Sequence, residues 1–158
     1  YNVTGWRLGY AVAPAPIAEK MGLMNDLLYI CAPRPLQHAA LAAFEDLGDD
    51  YVPDLQDDYA ERRQLMCETL EDIGFDVPWS DGAYYVLADF ESLAETRSGF
   101  EDDKQAVETL VQEAKVASVT GRSFYENDAD GRYQLRFCFA KEIPVLEQAC
   151  EQLREAFG

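Results

Sequence analysis

The chain has 158 residues, 48% of them hydrophobic and 12% aromatic, which is the composition of a folded globular protein and not of a disordered one. Its 30 acidic and 13 basic side chains leave a net charge of -17. A field this negative repels phosphate backbones and anionic lipid headgroups, so we expect neither nucleic acid nor a membrane surface as a partner.

The acidic residues are spread along the whole chain, which indicates a solvated acidic surface and not an acidic tail. Such surfaces occur in proteins adapted to high salt, so we expect a halophilic protein. The alternative is an acidic protein from an organism that lives at ordinary salt concentration. The four cysteines have no Cys-x-x-Cys spacing and only one His is present, so no metal site is expected. Because no secretory signal is visible, we expect reduced thiols and a cytoplasmic location.

The first third of the chain is predicted to form a turn, a strand and two helices. A Thr-Gly turn precedes an apolar strand over residues 7–13. A helix begins at Ala15 and Pro16, since proline is favourable in a first turn, and a second helix runs from Pro35 to Gly48. The first helix has an apolar stripe of helical period, which consists of Ile17, Met21, Met24, Leu28 and Cys31.

A long helix is predicted over about residues 53–73, with Gly74 as its C-terminal cap. Twenty helical residues measure roughly 30 Å, which is enough to bridge two domains. Beyond Gly74 the pattern is α+β, and the fold class of the whole chain is α/β. The predicted elements of this half are strands at 84–90, 116–120 and 132–140, a polar loop at 92–103, and helices at 103–114 and 142–157.

Arg7 is the first candidate for a binding residue. A guanidinium offers planar, two-pronged hydrogen bonding to phosphate oxygens, and a position just after a tight turn holds it by the backbone. The alternative is a surface ion pair with one of the many acids. The residues alone do not decide between these two roles.

Arg136 is the second candidate, in a segment of strict alternation over residues 132–140. Tyr133, Leu135, Phe137 and Phe139 share one face, which the period of two assigns to the core. Arg136 lies on the other face and needs a partner, because an unpaired buried charge is costly. That partner is either an internal Asp or Glu or the carboxylate of a ligand.

Several segments resemble pyridoxal-phosphate aminotransferases of fold type I, class I/II, of the aspartate-aminotransferase type. In that family a Ser-Lys pair is followed by an aromatic residue, a variable residue, an aliphatic residue and then Thr-Gly-Trp-Arg. Residues 1–7, Tyr-Asn-Val-Thr-Gly-Trp-Arg, match the part of this motif that begins at the aromatic residue. The run at 80–89 resembles the family's Pro-x-Gly-Ala-Phe-Tyr strand, with Pro78 as a loose match to the Pro. The run at 135–140 resembles the family's Arg-containing strand. The run at 116–125 resembles Val-Pro-Gly-Ser-x-Phe, with Thr120 in place of the Pro and Arg122 in place of the first Ser.

The resemblance implies the C-terminal part of such an enzyme. Residues 1–48 would end the large cofactor domain, residues 49–74 would form an interdomain helix, and residues 75–158 would form a small domain of helices on a short mixed sheet. It implies that Arg7 binds the cofactor phosphate and Arg136 the substrate α-carboxylate. The Schiff-base Lys would lie two residues before Tyr1, so no catalytic residue is assigned and residues 1–158 alone are expected to be inactive.

The implied reaction moves an amino group between an amino acid and a 2-oxo acid with pyridoxal phosphate, and the implied full-length enzyme is a homodimer. Two alternatives remain open at this point. One is an enzyme of the same fold that performs elimination or acyl transfer, since both arginine roles would survive that change. The other is the aminotransferase-like module of a transcription regulator that carries a helix-turn-helix at its N-terminus.

Overall fold

In the computed structural model, which describes residues 1–127 and 129–158, the chain divides into two units, Tyr1–Val52 and Pro53–Gly158. No helix among these described residues is both long enough and apolar enough to cross a membrane. The helices and strands are, in chain order, α1 (Ala15–Leu28), α2 (Arg34–Asp46), α3 (Tyr51–Asp72), β1 (Tyr85–Asp89), α4 (Glu91–Ala94), α5 (Asp103–Thr109), β2 (Val119–Thr120), β3 (Gln134–Cys138) and α6 (Ile143–Phe157).

The first unit contains a 3-10 turn at Thr4–Trp6 followed by α1 and α2. Both helices carry a proline in their first turn, as predicted. The strand predicted over residues 7–13 is absent, and this prediction is wrong for the structure described. A strand needs a neighbouring strand for its backbone hydrogen bonds, and residues 1–52 contain none.

The apolar stripe of α1 has the predicted helical period but does not enter a core. No residue of Tyr1–Val52 is buried, and Leu28 is 80% exposed. Aromatic contacts hold the turn against α2 and the start of α3: the ring centroids of Tyr1 and Phe44 are 5.1 Å apart, and those of Tyr1 and Tyr51 are 5.8 Å apart. The unit is therefore held by contacts between half-exposed side chains.

The second unit begins within α3, whose last two turns bury Met66, Cys67, Thr69 and Leu70. Gly74 ends the helix as predicted. Its φ of +98° lies in the left-handed region that glycine adopts without a steric penalty, and the N–H of Phe75 donates to the carbonyl of Leu70 at 3.0 Å.

The sheet of the second unit has the order β1-β3-β2, and both strand pairs are antiparallel. The mixed sheet expected from the resemblance is thus corrected to an antiparallel one in the residues described. The helix predicted at 103–114 is α-helical only to Thr109 and continues as a π-helical turn, Leu110–Ala114. The long loop predicted at 92–103 is interrupted at its start by the end of α4.

One face of the sheet packs into the core of the second unit. Leu135 and Phe137 in β3 are 0% and 1% exposed, and Val86 and Ala88 in β1 are buried beside them. Phe75 extends this layer, with its ring centroid 5.7 Å from that of Phe137. The opposite face of β3, which carries Arg136, is left for contacts other than the core.

Candidate functional site

Arg136 sits at the centre of the sheet. In the register of the strands it lies opposite Leu87 of β1 on one side and Val119 of β2 on the other. Its backbone is therefore fixed from both sides, and the alternation predicted for this segment is confirmed because Leu135 and Phe137 are buried while Arg136 is only partly buried. A side chain on a doubly paired strand is a rigid starting point for a binding site.

The guanidinium of Arg136 contacts two aromatic rings. Its Cζ atom is 4.1 Å from the ring centroid of Tyr85, which belongs to β1, and 4.8 Å from that of Phe124. Phe124 belongs to a 3-10 turn, Gly121–Phe124, that follows β2. Both distances are within the range of cation–π contacts. The two contacts restrain the guanidinium, whose N–H groups make hydrogen bonds in its own plane.

The polar contacts of Arg136 bear on the internal acidic partner considered for it. Its Nε atom is buried and has no hydrogen-bond partner, and no Asp or Glu among the described residues forms an ion pair with it. Arg136 therefore forms no ion pair with an internal Asp or Glu among the described residues. A buried donor without a partner costs roughly 1–3 kcal/mol.

The tyrosine beside Arg136 stays neutral at ordinary pH. A hydrogen bond with Tyr84 raises the pKa of Tyr85 above its usual value of 10.0, while the charge of Arg136 acts in the opposite direction. The ring therefore faces the guanidinium as a neutral phenol. Tyr85 was not predicted as a site residue, although the period of two in β1 and β3 places it on the same face of the sheet as Arg136.

A buried ion pair anchors the turn that carries Phe124. Asp103, at the start of α5, is 0% exposed. It accepts hydrogen bonds from the backbone N–H of Arg122 at 3.2 Å and from Nε of Arg122 at 2.7 Å, and a terminal nitrogen of the same guanidinium also contacts its Oδ1. Although burial alone would raise the pKa of Asp103, the hydrogen bonds and charge of Arg122 hold it below the usual value of 3.8. Neither Asp103 nor Phe124 was identified from the sequence.

Arg7 lies in the first unit, at the end of the turn Thr4–Trp6. Its φ of 54° is left-handed, which costs a residue other than glycine roughly 1–2 kcal/mol, and its N–H donates to the carbonyl of Thr4 at 3.3 Å. The side chain is exposed. It forms no ion pair within the described residues although the chain has 30 acids. The surface ion pair considered for it is thus not formed.

Arg7 also lines a cavity of about 1100 Å³ in the first unit. The lining comes from the N-terminal segment, the end of α1, the loop after it, and α2; besides Arg7 it includes Thr4, Asn25 and Gln37. None of the lining residues is acidic, and Arg7 is the one charged residue among them. This local absence of negative charge, in a chain of net charge -17, fits an anionic group such as a phosphate.

Arg7 and Arg136 belong to different units, Tyr1–Val52 and Pro53–Gly158. Among residues 1–127 and 129–158, no three His, Cys, Asp or Glu side chains are grouped so that they could hold a metal ion.

Comparison with known proteins gives consistent matches. The profile of the family described as "Aminotransferase class I and II" matches residues 1–153. The chain is 30% identical to methionine aminotransferase from Escherichia coli and 32% identical to aspartate aminotransferase from Sulfolobus acidocaldarius, each over 98% of this chain. Among solved structures it is similar to N-succinyldiaminopimelate aminotransferase from Mycobacterium tuberculosis, with a TM-score of 0.84 and 27% identity.

These matches cover only part of the relatives. The chain spans 38% of the length of the Escherichia coli and Sulfolobus acidocaldarius proteins and 39% of the Mycobacterium tuberculosis structure, which in turn covers 99% of this chain. The matched part of the solved relatives is their C-terminal portion.

Proposed function

The chain belongs to the class I and II aminotransferase family, and we propose that it supplies the substrate-facing part of an enzyme that moves an amino group between an amino acid and a 2-oxo acid. The observation that carries the proposal is the guanidinium of Arg136, which contacts two aromatic rings and has a buried Nε without a partner. We assign residues 1–48 to the end of a large cofactor domain, residues 49–74 to an interdomain helix, and residues 75–158 to a small domain. The division of the chain at Val52 supports this assignment.

We propose that Arg7 binds the phosphate of pyridoxal phosphate. The support is its unpaired guanidinium, its fixed backbone after the turn, and a cavity lining without acids. When bound, the cofactor supplies an electron sink for negative charge that develops at the α-carbon of the amino acid. Arg7 would neutralise the phosphate and fix its position, since two-pronged bonding restricts the orientation of the anion.

Arg136 would bind the α-carboxylate of the substrate. A guanidinium matches the geometry of a carboxylate with two parallel N–H donors, and this pairing sets both distance and orientation. Tyr85 and Phe124 lie within cation–π distance of the guanidinium, and apolar rings beside a charge lower the local dielectric, which strengthens its electrostatic interaction with an anion. The carboxylate would thereby be held in one orientation.

The test is Arg136→Lys in the complete polypeptide that carries these residues. Lysine keeps the charge but loses the planar fork, and the loss of one partner from a desolvated charge pair costs about 2–5 kcal/mol, so we expect KM for the amino acid to rise at least about 30-fold. Arg154→Lys, at an exposed ion pair with Asp72, is the matched control. A near-normal KM for Arg136→Lys would refute the assignment.

Residues 1–158 alone are proposed to be inactive and to bind pyridoxal phosphate weakly or not at all, because the resemblance places the Schiff-base Lys before Tyr1. The absorbance of the cofactor after dialysis of the purified 158-residue chain tests this, and strong retained absorbance would contradict it. The complete polypeptide is proposed to be a homodimer, which its mass in solution tests.

We also propose that the acidic surface is an adaptation to high salt. Asp103 is the only acidic residue in the buried class within residues 1–127 and 129–158, so the other described acids repel one another across partly or fully exposed positions. Salt screens such repulsion. A thermal midpoint that does not rise between dilute buffer and molar salt would refute the adaptation.

A further inference from the structure

Phe124 lies against Arg136 although little of the core holds it there. Its side chain is 46% exposed, and its ring nevertheless lies 4.8 Å from Cζ of Arg136. A ring that is half exposed has few packing partners to fix it. The position of Phe124 is therefore determined by the backbone of the turn Gly121–Phe124 that carries it.

Close backbone contacts fix the first residue of this turn. Gly121 is buried, and a Cβ atom added there would lie 2.5 Å from the carbonyl oxygens of both Gly131 and Gln134. The segment that leads into β3 thus touches the turn directly. The hydroxyls of Thr120 and Ser123 share a hydrogen bond of 2.8 Å across the turn.

The ion pair between Asp103 and Arg122 fixes the next residue. Asp103 engages Arg122 through both its backbone and its side chain, so the carboxylate restrains the direction of the chain as well as the guanidinium. Asp102, which caps α5 by accepting from the N–H of Lys104 and Gln105, lies 3.6 Å from the same guanidinium. The turn is therefore tied to the N-terminal end of α5 two residues before Phe124.

We propose that Asp103 and Arg122 are positioning residues for the carboxylate site: their ion pair holds the turn that places Phe124 on Arg136. This inference rests on the proposed role of Arg136 in binding a carboxylate. If the pair is broken, Phe124 leaves the guanidinium for part of the time. Arg136 then gains rotamer freedom that a bound carboxylate must remove, and water reaches one of its faces.

The experiment measures the Kd of propionate, a carboxylate without an amino group, from the backbone amide resonances of β3 in the isotope-labelled complete polypeptide that carries these residues. Because one cation–π contact is lost, Arg122→Gln and Phe124→Leu are each expected to raise Kd about three- to tenfold. The two together are expected to raise it no more than the larger single change, since both act through the same contact. Arg154→Gln, which breaks the exposed pair with Asp72, is expected to leave Kd unchanged.

The non-additivity separates positioning from a general loss of stability. Effects of Arg122→Gln and Phe124→Leu that multiply, or an unchanged Kd for Arg122→Gln, would overturn the inference. If Arg122→Gln does not fold, Arg122→Lys decides instead, because it keeps a cation beside Asp103 but not the two-pronged contact; an unchanged Kd there would equally overturn it.

Failure of the proposed function gives a different result. If the unmodified chain does not bind propionate, or if Arg136→Lys binds it as well as the unmodified chain, the carboxylate role of Arg136 is wrong and the inference falls with it. If Arg136→Lys binds weakly while the Arg122 variants bind normally, only the inference is wrong.

Discussion

Replacement of Asp103 by Asn should destabilise the second unit strongly, because it removes the charge that faces a guanidinium in a buried position. Breaking a buried pair costs about 3–5 kcal/mol when one partner is left behind. Two features place this case at the lower end of the range: the side chain of Arg122 is 20% exposed, and a carboxylate oxygen of Asp102 remains 3.6 Å from the guanidinium of Arg122. We therefore expect a loss of about 3 kcal/mol in the free energy of unfolding at pH 7.

The pH dependence of this loss has a definite sign. The pKa of Asp103 in the folded chain lies below its usual value of 3.8, since the bonds and charge of Arg122 outweigh the effect of burial. A lowered folded pKa gives stability that is present above the unfolded pKa and is lost as the pH falls through the folded pKa. The difference in stability between the unmodified chain and the Asp103→Asn variant should thus be constant at neutral pH and shrink below pH 3.8.

Urea unfolding followed by the fluorescence of Trp79 provides the assay. Trp79 lies in the second unit, and a Trp6→Phe background removes the other tryptophan, so the signal reports this unit alone. Asp72→Asn is the control, because its pair with Arg154 at 3.0 Å is exposed and is expected to contribute less than about 1 kcal/mol. A loss below about 1 kcal/mol for Asp103→Asn at pH 7, or a loss that persists unchanged in acid, would refute the reasoning.

Two further predictions follow from the same unit and from the thiols. Gly121→Ala should lower the free energy of unfolding by about 1–3 kcal/mol, because the added Cβ would lie 2.5 Å from two backbone carbonyl oxygens. Gly82→Ala is the control: the space around Gly82 is open, so it should cost less than half as much in the same urea assay. Burial raises the pKa of Cys67 to about 11 and also raises that of Cys150. A thiol reagent at pH 8 should therefore modify the exposed Cys31 within minutes, and should modify Cys67 and Cys150 only after unfolding. Rapid modification of Cys67 in the folded chain would contradict the burial described.

Local periodicity predicted the part of the site that lies on one strand. The alternation over residues 132–140 placed Leu135 and Phe137 in the core and Arg136 on the other face, and the structure confirms this. Likewise, Gly74 was predicted as a helix cap from its position alone. Such features depend on a residue and its near neighbours, so the sequence contains the information directly.

The rest of the site depends on residues that are distant in the sequence. Asp103 and Arg122 are 19 positions apart, and nothing in their local patterns indicates that one guanidinium and one carboxylate meet. The strand predicted at 7–13 failed for a related reason: its apolar pattern is suitable, but a ladder needs a second strand, which residues 1–52 do not provide. Pattern alone predicts what a segment favours and not which partner it meets.

The order of the strands also has a consequence for how the chain is made. β3 is the last strand in the sequence but the middle one in the sheet, and β1 and β2 are joined only through it. During synthesis from the N-terminus, β2 and the part of β1 before its bridge from Asp89 to Asp76 must wait with unpaired backbone groups until residues 134–138 have emerged. Those groups are open to the wrong partners during this interval. Arg136 therefore reaches Tyr85 and Phe124 in the same step that completes the sheet. A chain that stops before β3 has neither the three-stranded sheet nor these contacts.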